Sequence, residues 1–81
     1  MESILETYIN NSHHLVGNEL VNLLNTINQQ ISTWKLTPDE LCQVRSQLTA
    51  DNINAELLYE PRQARQIQLL TAEIKSKLYR D

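Results

Sequence analysis

Seven apolar residues between positions 16 and 34 share one stripe of an α-helix, and that stripe limits what the chain can become. Val16, Leu20, Leu23, Leu24, Ile27, Ile31 and Trp34 all lie within about 60° of Ile27 when each residue turns the helix by roughly 100°. The opposite face holds Asn22, Asn25 and Gln29, flanked by Asn18 and Asn28, all polar and uncharged. A helix of this kind is not stable alone, because its apolar face must be covered by something else. Two covers fit the spacing. One is the rest of the chain, with Leu20, Leu24, Ile27, Ile31 and Trp34 as core. The other is a second copy, with the same residues as a dimer seam. The stripe covers fewer than the three heptads that a sustained coiled coil requires.

The rest of the composition narrows the cover. The chain has 81 residues, enough for a single domain over 1–81. A core of that size is marginal, and small domains compensate with disulfides, metals or self-association. Cys42 is the only cysteine, which excludes an internal disulfide and a cysteine-based zinc cluster. Self-association is the remaining route besides good packing. Gly17 is the only glycine, and Pro38 and Pro61 are the only prolines. Hairpin turns need such residues, so the pattern predicts an all-α fold without strands. No apolar run approaches the roughly 18 residues of a membrane span. The start, Met1-Glu2-Ser3, lacks the basic and apolar regions of a secretory signal. With a single free cysteine, this gives the expectation of a cytoplasmic protein.

The net charge of −3 is unevenly distributed. Glu2, Glu6 and Glu19 are the only charged residues before Trp34, whereas Arg62, Arg65, Lys75, Lys77 and Arg80 crowd the end against Glu73 and Asp81. Opposed ends of this kind favour head-to-tail or antiparallel pairing at low salt.

Taken in order, residues 3–9 read as a short helix and Asn10-Asn11-Ser12 as a break, with Ser12 able to cap the next helix. That central helix is expected over 13–35. His13 and His14 point about 100° apart at its start, a poor geometry for one metal ion. Gly17 inside it costs roughly 1 kcal/mol against alanine, and it suits either close approach of another helix or a helix that frays at this point. Leu36-Thr37-Pro38-Asp39-Glu40-Leu41 then carries the most specific local signal. Thr37 reads as an N-cap, Pro38 as the first helical residue, and Glu40 as the closing member of a capping box. Leu36 and Leu41 complete a hydrophobic staple. The helix over 38–48 turns Leu41, Val44 and Leu48 inward, with Cys42 beside them as a small packed hydrophobe. Thr49-Ala50-Asp51-Asn52 suggests a break, followed by a short helix over 50–59 that covers Ile53, Leu57 and Leu58. Glu60-Pro61 forces a boundary. The final helix, 61–80, presents Ala64, Ile67, Leu70, Thr71, Ile74 and Leu78 on its inner face. Arg62, Arg65, Leu69 and Arg80 lie on the far side.

The expected architecture is a small helical bundle or helical hairpin, with three main helices and one or two short ones. The central and C-terminal helices form its antiparallel pair. The expected function is contact: a non-catalytic interaction module of the adaptor, chaperone or regulator class that binds another protein and pairs with itself. Arg62, Arg65, Leu69, Tyr79 and Arg80 are its expected partner-binding residues. A DNA-binding regulator is the alternative. Helices at 38–48 and 50–59 are close enough for a helix-turn-helix, and a dimer would present the basic face of the last helix to phosphates. Against it, Ala50–Tyr59 carries Asp51 and Glu56 and no basic residue, where a recognition helix needs Arg, Lys, Asn or Gln. The sequence contains no phosphate-binding glycine loop, nucleophile elbow or metal-ligand spacing. No enzyme activity, cofactor, metal or small-molecule substrate is therefore expected.

Overall fold

The computed structural model describes residues 3–11, 14–15 and 17–78. Val16 of the expected stripe, the expected cap Ser12, and His13 lie outside the described residues, as do Tyr79 and Arg80. The chain is an all-α bundle. Its helices are α1 (Ser3–Asn11), α2 (Gly17–Gln30), α3 (Pro38–Leu58) and α4 (Pro61–Leu78), with a 3₁₀ turn (Ile31–Thr33) closing α2. Helix α4 packs along both α2 and α3, and α1 bridges α2 and α3 from the other side. The four helices thus surround one core of Leu5, Tyr8, Leu20, Leu24, Ile27, Ile31, Val44, Leu48, Ala55, Ala64, Ile67, Ile74 and Leu78. Each large aliphatic side chain fully removed from water there contributes about 1.5–3 kcal/mol.

Leu20, Leu24 and Ile27 are completely buried and Ile31 nearly so. Trp34 is half-buried and has left the helix, with extended backbone at φ −90 and ψ 143. The α-helix therefore ends at Gln30, short of Lys35, where the stripe alone would take it. The end is set by hydrogen bonding. The Thr33 hydroxyl donates to the Gln30 carbonyl at 2.7 Å, and the Trp34 N–H donates to the Ile31 carbonyl at 3.1 Å. Both satisfy carbonyls that a helix end leaves open. Gly17 starts α2 instead of interrupting it, so the cost of an interior glycine does not arise. A β-carbon there would run into the amide end of Gln63 on α4, with Cδ at 2.6 Å.

Helix α3 corrects the expected break at residues 49–52. Residues 38–58 form one helix of 21 residues. Asp51 and Asn52 read as capping residues in the sequence, but their side chains bond to neighbouring helices. Asp51 accepts from the Tyr8 hydroxyl of α1 at 2.5 Å and from Gln47 at 3.0 Å. Asn52 donates to the Gln68 carbonyl at 3.1 Å and to the Thr71 hydroxyl at 3.0 Å on α4. With Ala50 beside them and neither glycine nor proline in the segment, the helix continues. The capping box at its start is present as expected: Glu40 N–H donates to Thr37 Oγ1, and Thr37 N–H donates to the Glu40 carboxylate.

Making α3 one helix also corrects the pairing of α2 with α4. Asn18 meets Gln63 and Asn28 meets Glu73, so these two helices run parallel. The antiparallel partner of α4 is α3, where Asn52 meets Gln68 and Thr49 meets Lys75. Three successive helices joined by short links alternate in direction, which leaves the first and third parallel.

Candidate protein-interaction surface

Helix α3 carries apolar residues on two opposite sides. Its inner side places Val44, Leu48 and Ala55 in the core. Opposite Leu48, the helical rotation brings Asp39, Cys42, Ser46, Ala50, Ile53 and Leu57 within roughly 60° of one outward direction. Ile53 is 67% exposed and Leu57 83% exposed. They stand one turn apart, at the i, i+4 spacing that makes neighbours on a helix surface. Leu58, 64% exposed, flanks them on the side nearer α1. From Cys42 to Leu57 the outer arc consists of Cys42, Gln43, Ser46, Thr49, Ala50, Ile53 and Leu57, all uncharged, with exposed Glu56 at its edge and Arg45 and Lys75 bordering Ser46 and Ala50. Exposed apolar residues are ordinary when scattered singly, but adjacent ones on an uncharged face form a contact surface.

The seam between α3 and α4 borders this face. A shallow recess of about 180 Å³ opens beside Ile53, Thr49 and Ala72. A neighbouring one of about 310 Å³ lies between Glu56, Tyr59 and Arg65. The seam is held by the Asn52 contacts and by Lys75, whose ammonium group donates to the Thr49 hydroxyl at 2.7 Å.

The residues expected to bind a partner are dispersed. Arg62 and Arg65 are exposed, and Arg65 faces the α3 seam beside Glu56. Leu69, 60% exposed, is on the other side of α4, where it borders a recess with Val21 and Asn25 of α2. Tyr79 and Arg80 lie outside the described residues. The expected basic face of α4 is also divided. Lys75 reaches toward α3, whereas Lys77 donates to the Asn28 carbonyl of α2 at 2.6 Å. Residues 38–58 form one helix, so the two helices and turn of a helix-turn-helix are not formed there. Cys42 is exposed, contrary to its expected packing, because it sits on the outward side of α3.

Ile53, Leu57 and Leu58 are the surface residues that sequence reasoning missed. Carrying the rotation of Leu48 through residues 49–58 without a break would have turned Ala55 inward and Ile53 and Leu57 outward. Burial, reinforced by the charge and hydrogen bond of Asp51, pushes the Tyr8 hydroxyl far above its ordinary range. Burial and Asp51 also raise the Tyr59 hydroxyl. The backbone N–H of Thr37 lowers the carboxyl of Glu40. Among the described residues, no group of three or more His, Cys, Asp or Glu side chains is placed to hold a metal ion. No described helix is long and apolar enough to cross a membrane.

No family model matches the chain, and no curated protein or solved structure matches it.

Proposed function

We propose that this chain is a small non-catalytic interaction module, of the adaptor, chaperone or regulator class, that works by self-association through the outer face of α3. The observation that carries the proposal is the pair Ile53 and Leu57, left in solvent side by side on an uncharged face. Covering such residues releases the free energy of apolar burial, about 25 cal/mol for each Å² removed from water. Small domains with modest cores gain stability by the same route. Arg65 and Glu56 at the edge supply the charged rim that surrounds many protein interfaces.

Light scattering on a size-exclusion column, over a concentration series, tests the proposal. The wild type is expected to show a mass above 9.4 kDa that rises with concentration. Leu57→Asp is expected to hold the monomer mass while keeping the helical circular dichroism of the wild type. A wild type that stays monomeric at every concentration contradicts self-association. A Leu57→Asp variant that associates as the wild type does contradicts the assignment of the α3 face.

A further inference from the structure

Two cations reach one recess from two helices. Arg45 of α3 and Lys75 of α4 line an open recess of about 410 Å³, and Ser46, Thr49 and Ala50 complete its wall. The chain has 10 acidic residues against 7 lysines and arginines, yet among the described residues no carboxylate lines this recess. Two other cations of α4 stand close to acids. Arg65 shares its recess with Glu56. Lys77 donates to the carbonyl of Asn28, whose side chain donates to the Glu73 carboxylate. Arg45 and Lys75 are both half-buried and both held in place. The Arg45 guanidinium donates to the Leu78 carbonyl at 3.4 Å, and the Lys75 ammonium donates to the Thr49 hydroxyl at 2.7 Å. Like charges lining one recess repel each other, and an anion between them reverses the sign of that interaction.

The hydroxyls point the same way. Thr26, Thr33 and Thr71 each donate to a backbone carbonyl three or four residues earlier. Thr49 instead accepts from Lys75 and donates to no group among the described residues. Ser46, exposed and one turn away on the same face, has no hydrogen-bond partner among them either. Both O–H groups are left to donate to a ligand in the recess.

We infer that this recess binds one phosphate group, the chemistry shared by inorganic phosphate and small phosphate monoesters. Such a group carries a charge of about −1.5 to −2 at neutral pH and three strong acceptor oxygens. Arg45 and Lys75 supply charge-assisted donors, and Ser46 and Thr49 supply neutral ones. The spacing serves this, because Thr49 follows Ser46 by three residues and Arg45 by four, which puts the three on neighbouring parts of one helix surface. Lys75 closes the set from α4. A carboxylate ligand, with one charge and two oxygens, would leave part of the set unused. A nucleic-acid strand needs a continued track of cations. Arg65 is ten residues from Lys75, about 15 Å along α4 at 1.5 Å per residue, and Glu56 stands beside it. The site goes beyond self-association and does not depend on it: Thr49 is about 12 Å from Leu57 along α3 at the same rise.

Titration of the full chain, followed by amide chemical shifts, tests the site. The probes are inorganic phosphate, glycerol phosphate and acetate, each at constant ionic strength balanced with chloride. Phosphate is expected to give saturable shifts confined to residues 45–50 and 72–76, and acetate to give none that saturate. Lys75→Gln is expected to weaken phosphate binding about fivefold, the upper range for a partly exposed ion pair. Ser46→Ala, at an exposed position that leaves the fold intact, is expected to weaken it about two- to threefold. Arg62→Gln is expected to bind as the wild type does. Tighter binding of glycerol phosphate identifies an organic monoester as the ligand, and equal binding identifies the phosphate group alone; both support the site. Phosphate shifts that fail to saturate, that extend equally to residues 61–66, or that acetate reproduces overturn it. So does unchanged affinity in Lys75→Gln or, where that variant loses helical circular dichroism, in Ser46→Ala. Light scattering reports self-association separately: a chain that stays monomeric yet binds phosphate keeps the site and loses the dimer, and a chain that associates without binding phosphate does the reverse.

Discussion

The two sides of α3 have similar apolar content and opposite surroundings. On the inner side, Val44, Leu48 and Ala55 are fully buried. The polar residues at its edges, Asp51 and Asn52, are bonded to Tyr8 of α1 and to Gln68 and Thr71 of α4. On the outer side, Ile53 and Leu57 stand in solvent. Apolar content alone therefore does not separate core from contact surface. What separates them is whether the flanking polar residues tie that side to the rest of the bundle. The inner side is specified by hydrogen bonds that fix which helices it meets. On the outer side Thr49, at its edge, is tied to α4 through Lys75, while Ile53 and Leu57 beyond it stand in solvent, which suits a surface covered by another molecule.

The sharpest contrast comes from matched substitutions on the two sides. Leu48→Ala is expected to cost about 2–5 kcal/mol in chemical denaturation, because it removes buried methyl groups and leaves a cavity. Leu57→Ala, measured at a concentration where the chain is monomeric, is expected to change stability by no more than about 0.5 kcal/mol. Similar losses at both positions would mean that the two sides are not different in kind.

Next in size is the tie between α1 and the inner side of α3. Tyr8→Phe removes a buried hydrogen bond to a carboxylate and is expected to cost about 1.5–3 kcal/mol. It also changes the response to alkali. The hydroxyl of Tyr8 is raised above its ordinary value of 10.0 in the folded chain. The folded state therefore keeps a proton that the unfolded phenol gives up. The stability linked to it is complete below about pH 10 and falls as pH rises beyond that value. Denaturation of the wild type between neutral pH and about pH 11 is expected to show this decline, and Tyr8→Phe to flatten it. An equally steep decline in the variant would place the alkaline sensitivity elsewhere, with Tyr59 the next group raised by burial.

Smallest is the start of α3, which supports both sides equally. Thr37→Ala removes one half of the capping box and is expected to cost about 1 kcal/mol. Glu40, the other half, has a lowered carboxyl. Its contribution is thus present above the ordinary carboxylate range and is lost as pH falls through its lowered folded value. Thr37→Ala should lower the thermal midpoint without changing the self-association constant. A change in association larger than the change in folding would tie the cap to the outer face.

Much of this arrangement is legible in the sequence where periodicity and punctuation agree. Pro61 marks the start of α4, and Ala64, Ile67, Thr71, Ile74 and Leu78 come after it at helical spacing, all buried. Thr37-Pro38-Asp39-Glu40 marks the start of α3 with side chains that make the expected bonds. Helix α3 is illegible as a whole for a physical reason. With Leu48 on one side and Leu57 on the other, no single apolar face emerges. Asp51 and Asn52 carry the same chemistry whether they cap a helix or tie two helices together, and only tertiary neighbours decide between these roles. The parallel run of α2 and α4 depends on α3 being one helix, so it is hidden along with it. The outer face is hidden for the same reason: Ile53 and Leu57 point outward only if the helix continues from Leu48.

The most direct test compares the exposed apolar residue of α3 with that of α4. Sedimentation equilibrium of the wild type, Leu57→Asp and Leu69→Asp, under identical conditions, places one charge on each surface without touching the core. Association is expected in the wild type and in Leu69→Asp, with loss of association in Leu57→Asp. Association lost in Leu69→Asp and retained in Leu57→Asp would place the contact surface on α4 beside α2 and contradict the role assigned to the outer face of α3.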